Sequence, residues 1–137
     1  MSTSTFSPGF RISAFDIVIL CAGLTGSIIV YRQAWWSGWA VAFVVLHFFL
    51  FCNVFRIARA PELVWATTFI ALAALTILTK FPGWVATTAI TFALSSLLIW
   101  RETKMSNYHG IFWQKWNPSL PDYWAAHRDI AGPSRTI

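Results

Sequence analysis

His47, Asp16 and a polar run from Asn53 to Glu62 are the residues of this chain whose types and positions could do chemistry. Each lies in or beside a long apolar stretch. His47 stands near the middle of one such stretch, where an ionisable side chain is costly and marks function by default. A neutral imidazole there can ligate haem iron or a chlorophyll magnesium, or hydrogen-bond a quinone carbonyl. It can equally be a structural residue bonded to a hydroxyl or carbonyl of a neighbouring helix, and this plainer role is the one expected of His47. Paired histidine ligation of haem would need a second histidine at membrane depth, and His109 and His127 both follow the apolar part of the chain. No particular cofactor is specified.

Asp16 opens the first apolar stretch. Small multidrug transporters share this length and a four-span plan, and they use a carboxylate in the first helix. By that resemblance Asp16 would be the coupling group of a small homo-oligomeric transporter. Its place in the first helical turn favours a simpler role, at the positive end of the helix dipole. Asn53, Arg56 and Arg59 recur at spacings of three before Glu62. Asn53 and Arg56 are expected to share a helix face, with Pro61 breaking the register before Glu62. The run suits either a headgroup or partner contact at the membrane surface or anchoring and turn capping.

No further motif carries chemistry. The sequence has no H-E-x-x-H, G-x-S-x-G, C-x-x-C or glycine-rich phosphate loop. An enzyme is not expected. Cys21 and Cys52 both fall inside apolar stretches, where they act as small hydrophobes.

The elements that must position these residues are four apolar runs: Ala14–Tyr31, Gly38–Phe55, Glu62–Leu78 and Trp84–Trp100. Each has 17 or 18 residues. As helices they would be about 25–27 Å long at a rise of about 1.5 Å per residue, close to the roughly 30 Å apolar core of a bilayer. Backbone groups in lipid must be satisfied within the segment, so such runs become helices. Of 137 residues, 57% are hydrophobic and only 11% charged, too apolar for an ordinary soluble domain. The expected fold is an all-α membrane protein of four transmembrane helices. Its divisions are a flexible leader (1–13), the bundle (14–100) and a short cytoplasmic, aromatic-rich tail (101–137).

The net charge of +5 is no nucleic-acid signal, because the basic residues cluster at helix ends. A four-span model puts Arg11, Arg56, Arg59, Arg101, Lys104, Lys115, Arg128 and Arg135 on one side. Only Arg32 and Lys80 fall on the other. The positive-inside rule then places both termini in the cytoplasm, with the chain in the cytoplasmic (inner) membrane.

Local signals fill in the bundle. Ser13 and Asp16 have capping-box spacing. Gly23-x-x-x-Ser27 and Ala22-x-x-x-Gly26 allow close helix approach. Trp35, Trp36 and Trp39 match an interfacial belt. Thr88, Thr91 and Ser95 form a small polar stripe. Lys80-Phe81-Pro82-Gly83 makes the third and fourth spans a hairpin.

Tyr108, Phe112, Trp113, Trp116, Tyr123 and Trp124 crowd the tail. A helix before Pro118 would put Ile111, Phe112 and Trp116 on one side, and a second would begin at Ser119 and stop at Gly132-Pro133. These aromatics are expected to contact a partner subunit or the lipid surface. The whole is read as a non-catalytic accessory subunit of a larger membrane-protein complex, with a respiratory or photosynthetic host in view. The alternatives are a cofactor or quinone protein built on His47 and the transporter built on Asp16. The partners expected are the bilayer and other membrane subunits.

Overall fold

A computed structural model describes residues 6–130, with side chains as far as residue 127. Within them the chain is all-α. Four helices are long and apolar enough to cross a membrane. They are α1 (Ala14–Tyr31), α2 (Trp35–Phe49), α3 (Arg59–Thr79) and α4 (Trp84–Thr103). A five-residue π-helical turn, Leu50–Val54, prolongs α2 and completes its span. Two short helices follow, α5 (Trp113–Trp116) and α6 (Leu120–Ile130). The chain is an integral membrane protein.

Helix ends follow the sequence. Ser13 caps α1 with a reciprocal capping box: its hydroxyl accepts from the Asp16 N–H at 3.2 Å, and Asp16 Oδ2 accepts from the Ser13 N–H at 2.8 Å. Pro61 lies in the first turn of α3, where its missing N–H costs nothing. Lys80 closes α3 in the left-handed region at φ 63°, and Gly83 opens α4 at φ 94°. Helices α3 and α4 run on to Thr79 and Thr103, beyond the expected Leu78 and Trp100.

Two hairpins make the bundle. In the first, α1 approaches α2 through Gly23, whose added methyl would sit 2.7 Å from Val45 Cγ2. The Ser27 hydroxyl donates to the Gly38 carbonyl at 2.6 Å. Gly26 faces open space, so only one of the two small-residue pairs is used within the chain. In the second hairpin, the Trp65 indole donates to the Thr91 carbonyl at 3.0 Å, and Thr76 and Thr87 share a hydroxyl bond of 3.0 Å. The buried face of α4 runs through Thr87, Thr91 and Ser95. Thr87 takes the place expected of Thr88, which instead accepts from the Trp39 indole at 3.1 Å. The core between the hairpins is Phe43, Phe51, Trp65, Phe69 and Leu98.

At one end of the bundle, leader and tail close over the second span. The Arg11 N–H donates to the Asn53 carbonyl at 3.2 Å, and the Ile111 N–H to the Val54 carbonyl at 2.9 Å. Gly9 N–H joins leader to tail through the His109 carbonyl at 2.7 Å. Residues 6–13, expected as a flexible leader, form a tied strap. Gly110 passes so close to Phe55 that an added methyl would overlap the Phe55 carbonyl oxygen. The expected helix stop at Gly132-Pro133 lies outside the described residues.

Gly110→Ala should therefore lift the tail from the π turn and cost about 1–3 kcal/mol. Amide exchange at Ile111 should rise while exchange in α3 stays slow. An unchanged Ile111 protection would refute the close approach.

Candidate functional site

The side chain of His47 is enclosed by rings. It lies over Trp65 at 4.7 Å between centroids, nearly parallel at 10°, with Phe43 at 4.1 Å, and Phe51 and Phe92 edge-on at 6.0 and 6.4 Å. These rings come from α2, its π turn, α3 and α4. The sequence places them there by helical spacing: Phe43, His47 and Phe51 recur every four residues along one face. His47 is 7% exposed, and its Nδ1 bonds the Phe43 carbonyl at 2.9 Å. A ring nitrogen facing a carbonyl is the N–H, which leaves the lone pair on Nε2. The plainer role expected of His47 is thus available within its own helix, without a hydroxyl from a neighbour.

Asp16 and Asn53 form a second polar centre, at the strap end. Asp16 Oδ2 accepts from the Ser13 N–H at 2.8 Å and the Ser13 hydroxyl at 2.7 Å. With its amide nitrogen turned toward that carboxylate, Asn53 donates to Asp16 Oδ2 at 3.2 Å and to the Arg11 carbonyl at 3.1 Å. The carboxylate that a transporter would use is engaged by three donors.

The expected shared face of Asn53 and Arg56 does not form. The helix ends at Val54, and Arg56 sits in the left-handed region at φ 49°. Asn53 turns inward, 7% exposed, toward α1. Arg56 turns over the strap and donates from Nη1 to the Ser7 carbonyl at 2.7 Å. Arg59 stands apart as the exposed first residue of α3. Burial, and then the nearby Arg11 cation, lower the pKa of Arg56.

The aromatic residues of the tail divide. Tyr108 is buried, and its hydroxyl donates to the Ile111 carbonyl at 2.8 Å. Trp113 and Trp124 pack on Phe6 of the strap at 5.9 and 5.5 Å. Trp116 stacks on Phe55 at 6.5 Å, and Tyr123 on His127 at 3.9 Å. Phe112, at 61% exposed, and Trp116, at 42%, present the most open ring surface. Phe112 precedes α5 in the left-handed region, so the one-sided helix expected before Pro118 is a single turn.

Sequence reading missed Asn117. It is buried, and its amide donates to the Ser106 carbonyl at 2.7 Å and the Tyr108 carbonyl at 3.0 Å. The Asn117-Pro118 dipeptide, a turn signal, could have found it. Also missed was an apolar groove of about 570 Å³ at the opposite end, lined chiefly by Tyr31, Trp35, Trp39, Trp84, Thr88 and Phe92. The tryptophan belt signalled its aromatic walls without their shape. Among the described residues, no cluster of three or more His, Cys, Asp or Glu side chains could hold a metal ion.

Comparison with protein-family models, with curated proteins and with solved structures gives no match.

Two predictions follow from this geometry. His47→Ala should cost about 1–2 kcal/mol of helix association, and His47→Phe less than about 1 kcal/mol because it keeps a ring of similar volume. Denaturant titration in mixed micelles would measure both, and the reverse order would contradict a packing role. The second concerns Tyr108. Burial pushes its phenol up to about 12 from an ordinary 10.0. The folded chain then holds this proton more tightly than the unfolded chain does. Its stabilising share is complete below pH 10.0 and is lost as pH rises through about 12. Thermal unfolding across that window should show the loss in the wild type and its absence in Tyr108→Phe.

Proposed function

We propose that this chain is a non-catalytic accessory subunit of a larger membrane-protein complex, seated in the cytoplasmic (inner) membrane with both termini cytoplasmic. The observation that carries the reading is how the polar groups are used. Asp16, Asn53, Asn117, Ser27 and the α4 hydroxyls bond within the chain. What they leave outside is apolar: Phe15, Val18, Ile28 and Ile29 on α1, and Phe112 and Trp116 on the tail, all remain exposed. The α1 surface suits lipid or a partner helix. The two tail rings lie beyond the spans, and exposed aromatics there are the kind that anchor interfaces. A bioenergetic host, respiratory or photosynthetic, suits the ring-rich spans.

The strap contacts support the topology. They bring the start of α1, the end of α2 and the segment after α4 to one end of the bundle. That end carries Arg11, Arg56, Arg59, Arg101 and Lys104, so the positive-inside rule assigns it to the cytoplasm.

One observation favours a second reading, in which His47 holds a pigment, haem or quinone. Histidines that ligate a metal commonly donate their other ring N–H to a carbonyl, and His47 Nδ1 has such a partner in Phe43.

Gentle extraction followed by size measurement separates the readings. A large co-purifying assembly, lost when the exposed rings of Phe112 and Trp116 are both replaced by alanine, is the expected result. A small coloured species bleached by His47→Ala would establish the second reading with a pigment or haem, a small colourless species yielding quinone on solvent extraction would establish it with a quinone, and a small colourless species without quinone would end both. Topology is tested in a background with Cys21 and Cys52 replaced by alanine. External maleimide should label Ser37→Cys and miss Ser106→Cys. Labelling of position 106 from outside would overturn the orientation.

A further inference from the structure

At the end of the bundle opposite the strap, the apolar groove of about 570 Å³ opens between the hairpins. We infer that it holds one acyl chain of an anionic phospholipid whose headgroup phosphate is drawn to Lys80. Four observations carry the inference, and none depends on the chain's being a subunit of a complex.

The first is shape. Trp84, Thr88 and Phe92 line the groove at spacings of four along α4, and Trp35 and Trp39 do so along α2. From Trp84 to Phe92 the slot is about 12 Å long at about 1.5 Å per residue. It runs from the helix end into the span, the direction an acyl chain takes. Val85 and Ala89 also line it and are exposed, so it is open along its side. Its volume falls in the range of about 300–1,000 Å³ typical of ligand sites.

The second is rigidity. The Trp39 indole donates to Thr88 Oγ1 at 3.1 Å, and Trp36 stacks on Trp84 at 5.2 Å with ring planes 11° apart. Both contacts tie α2 to α4. The walls are therefore set before a ligand arrives, which spares the ordering cost of binding.

The third is where the polar groups stand. Within the slot the Thr88 hydroxyl is already used, donating to the Trp84 carbonyl at 2.8 Å and accepting from Trp39. Ala89 and Phe92, toward the inner end, add no polar side chain. A ligand polar along its whole length would bury unmatched groups there. A ligand polar only at the end that stays at the mouth would bury none.

The fourth is charge. Trp84 also walls a smaller recess of about 150 Å³ that is lined by Lys80. Lys80 Nζ gives one of its three donors to the Ile77 carbonyl, at a long 3.4 Å. Arg32 follows Tyr31, a residue of the opposite wall. All five acidic residues of the sequence belong to the other end of the bundle. Asp16 and Glu62 lie in the first turns of α1 and α3, Glu102 near the end of α4, and Asp122 and Asp129 in α6. Helix α6 is held to the strap by Trp124 on Phe6. The groove end thus carries cations without an acidic residue beside them, at the depth where headgroups lie. A phosphodiester supplies the anion, and its acyl chain fills the slot.

The test places the full chain in phosphatidylcholine nanodiscs with a trace of photoreactive lipid. The probe carries a diazirine midway along one acyl chain and either a phosphatidylglycerol or a phosphatidylcholine head. Adducts are mapped by peptide mass spectrometry. The phosphatidylglycerol probe should label the slot residues about fivefold more than the phosphatidylcholine probe does. Both should label Ile70, exposed in the middle of α3, alike. Lys80→Gln should remove most of the preference, and Arg59→Gln, a charge lost at the strap end, should change it less than about twofold. Ala89→Trp fills the slot from an exposed position and should abolish slot labelling by both probes. Continued labelling of Ile70 in that variant shows that it is still inserted. Equal slot labelling by the two probes in the wild type would overturn the proposal. So would slot labelling no greater than that of Ile70, equal losses in Lys80→Gln and Arg59→Gln, or undiminished slot labelling in Ala89→Trp.

Discussion

A helix that ends near lipid cannot leave its last carbonyls bare, and the end of the second span is where this chain meets that constraint. Four acceptors there are matched to donors. Leu50 and Phe51 carbonyls receive the N–H groups of Phe55 and Ile57 as the backbone turns back on itself. Asn53 and Val54 carbonyls receive those of Arg11 and Ile111, which come from either end of the described chain. The wider π turn splays the carbonyls enough for two separate segments to reach them. Strap and tail are thus parts of the bundle. Much else depends on this meeting: Asn53 reaches Asp16, Gly110 must be a glycine, and the rings of Phe6, Trp113 and Trp124 come together.

What was legible in the sequence is what local chemistry dictates. Run length and apolarity located the four helices to within a few residues at their ends. Ser13 and Asp16 announced their cap through spacing alone. The features that escaped are those decided by distant partners. Nothing local to Leu50–Val54 distinguishes a π turn from more α-helix. Continuing the α-helical period through Val54 therefore put Asn53 and Arg56 on one face, where the structure parts them. Thr87 and Thr88 are chemically alike, and only the position of Thr76 and Trp39 decides which is buried. The tail's aromatic residues were visible as a crowd. Their sorting into Tyr108 within and Phe112 without required the docking of Gly110 against Phe55 to be known.

The aromatic box around His47 illustrates how an expensive residue is accommodated. Its N–H is returned to its own helix at Phe43, so no neighbour need supply a partner. Its faces are covered by Trp65 and Phe43, pairs of a kind worth about 0.5–1.5 kcal/mol each. The same solution appears along α4, where the hydroxyls of Thr91 and Ser95 bond the carbonyls of Thr87 and Thr91. Small hydroxyl side chains folded back in this way leave a shallow face. Trp65 lies against it and donates to the Thr91 carbonyl.

These bonds are unevenly shared between the two hairpins. Ser27 to Gly38 stitches the first, and Trp65 to Thr91 with Thr76 to Thr87 stitches the second. Between them the buried contact is ring against ring, with Phe43 and His47 on one side and Trp65 and Phe69 on the other, and the Trp39 indole hydrogen-bonds across to Thr88. Lipid tails solvate such rings nearly as well as protein does, so ring contact alone gives little resistance to parting. The hairpins are held together by these rings, by the Trp39–Thr88 bond and by the tail that bonds the Val54 carbonyl. His47 lies between the hairpins, so the most costly side chain of the spans is covered by rings that both of them supply.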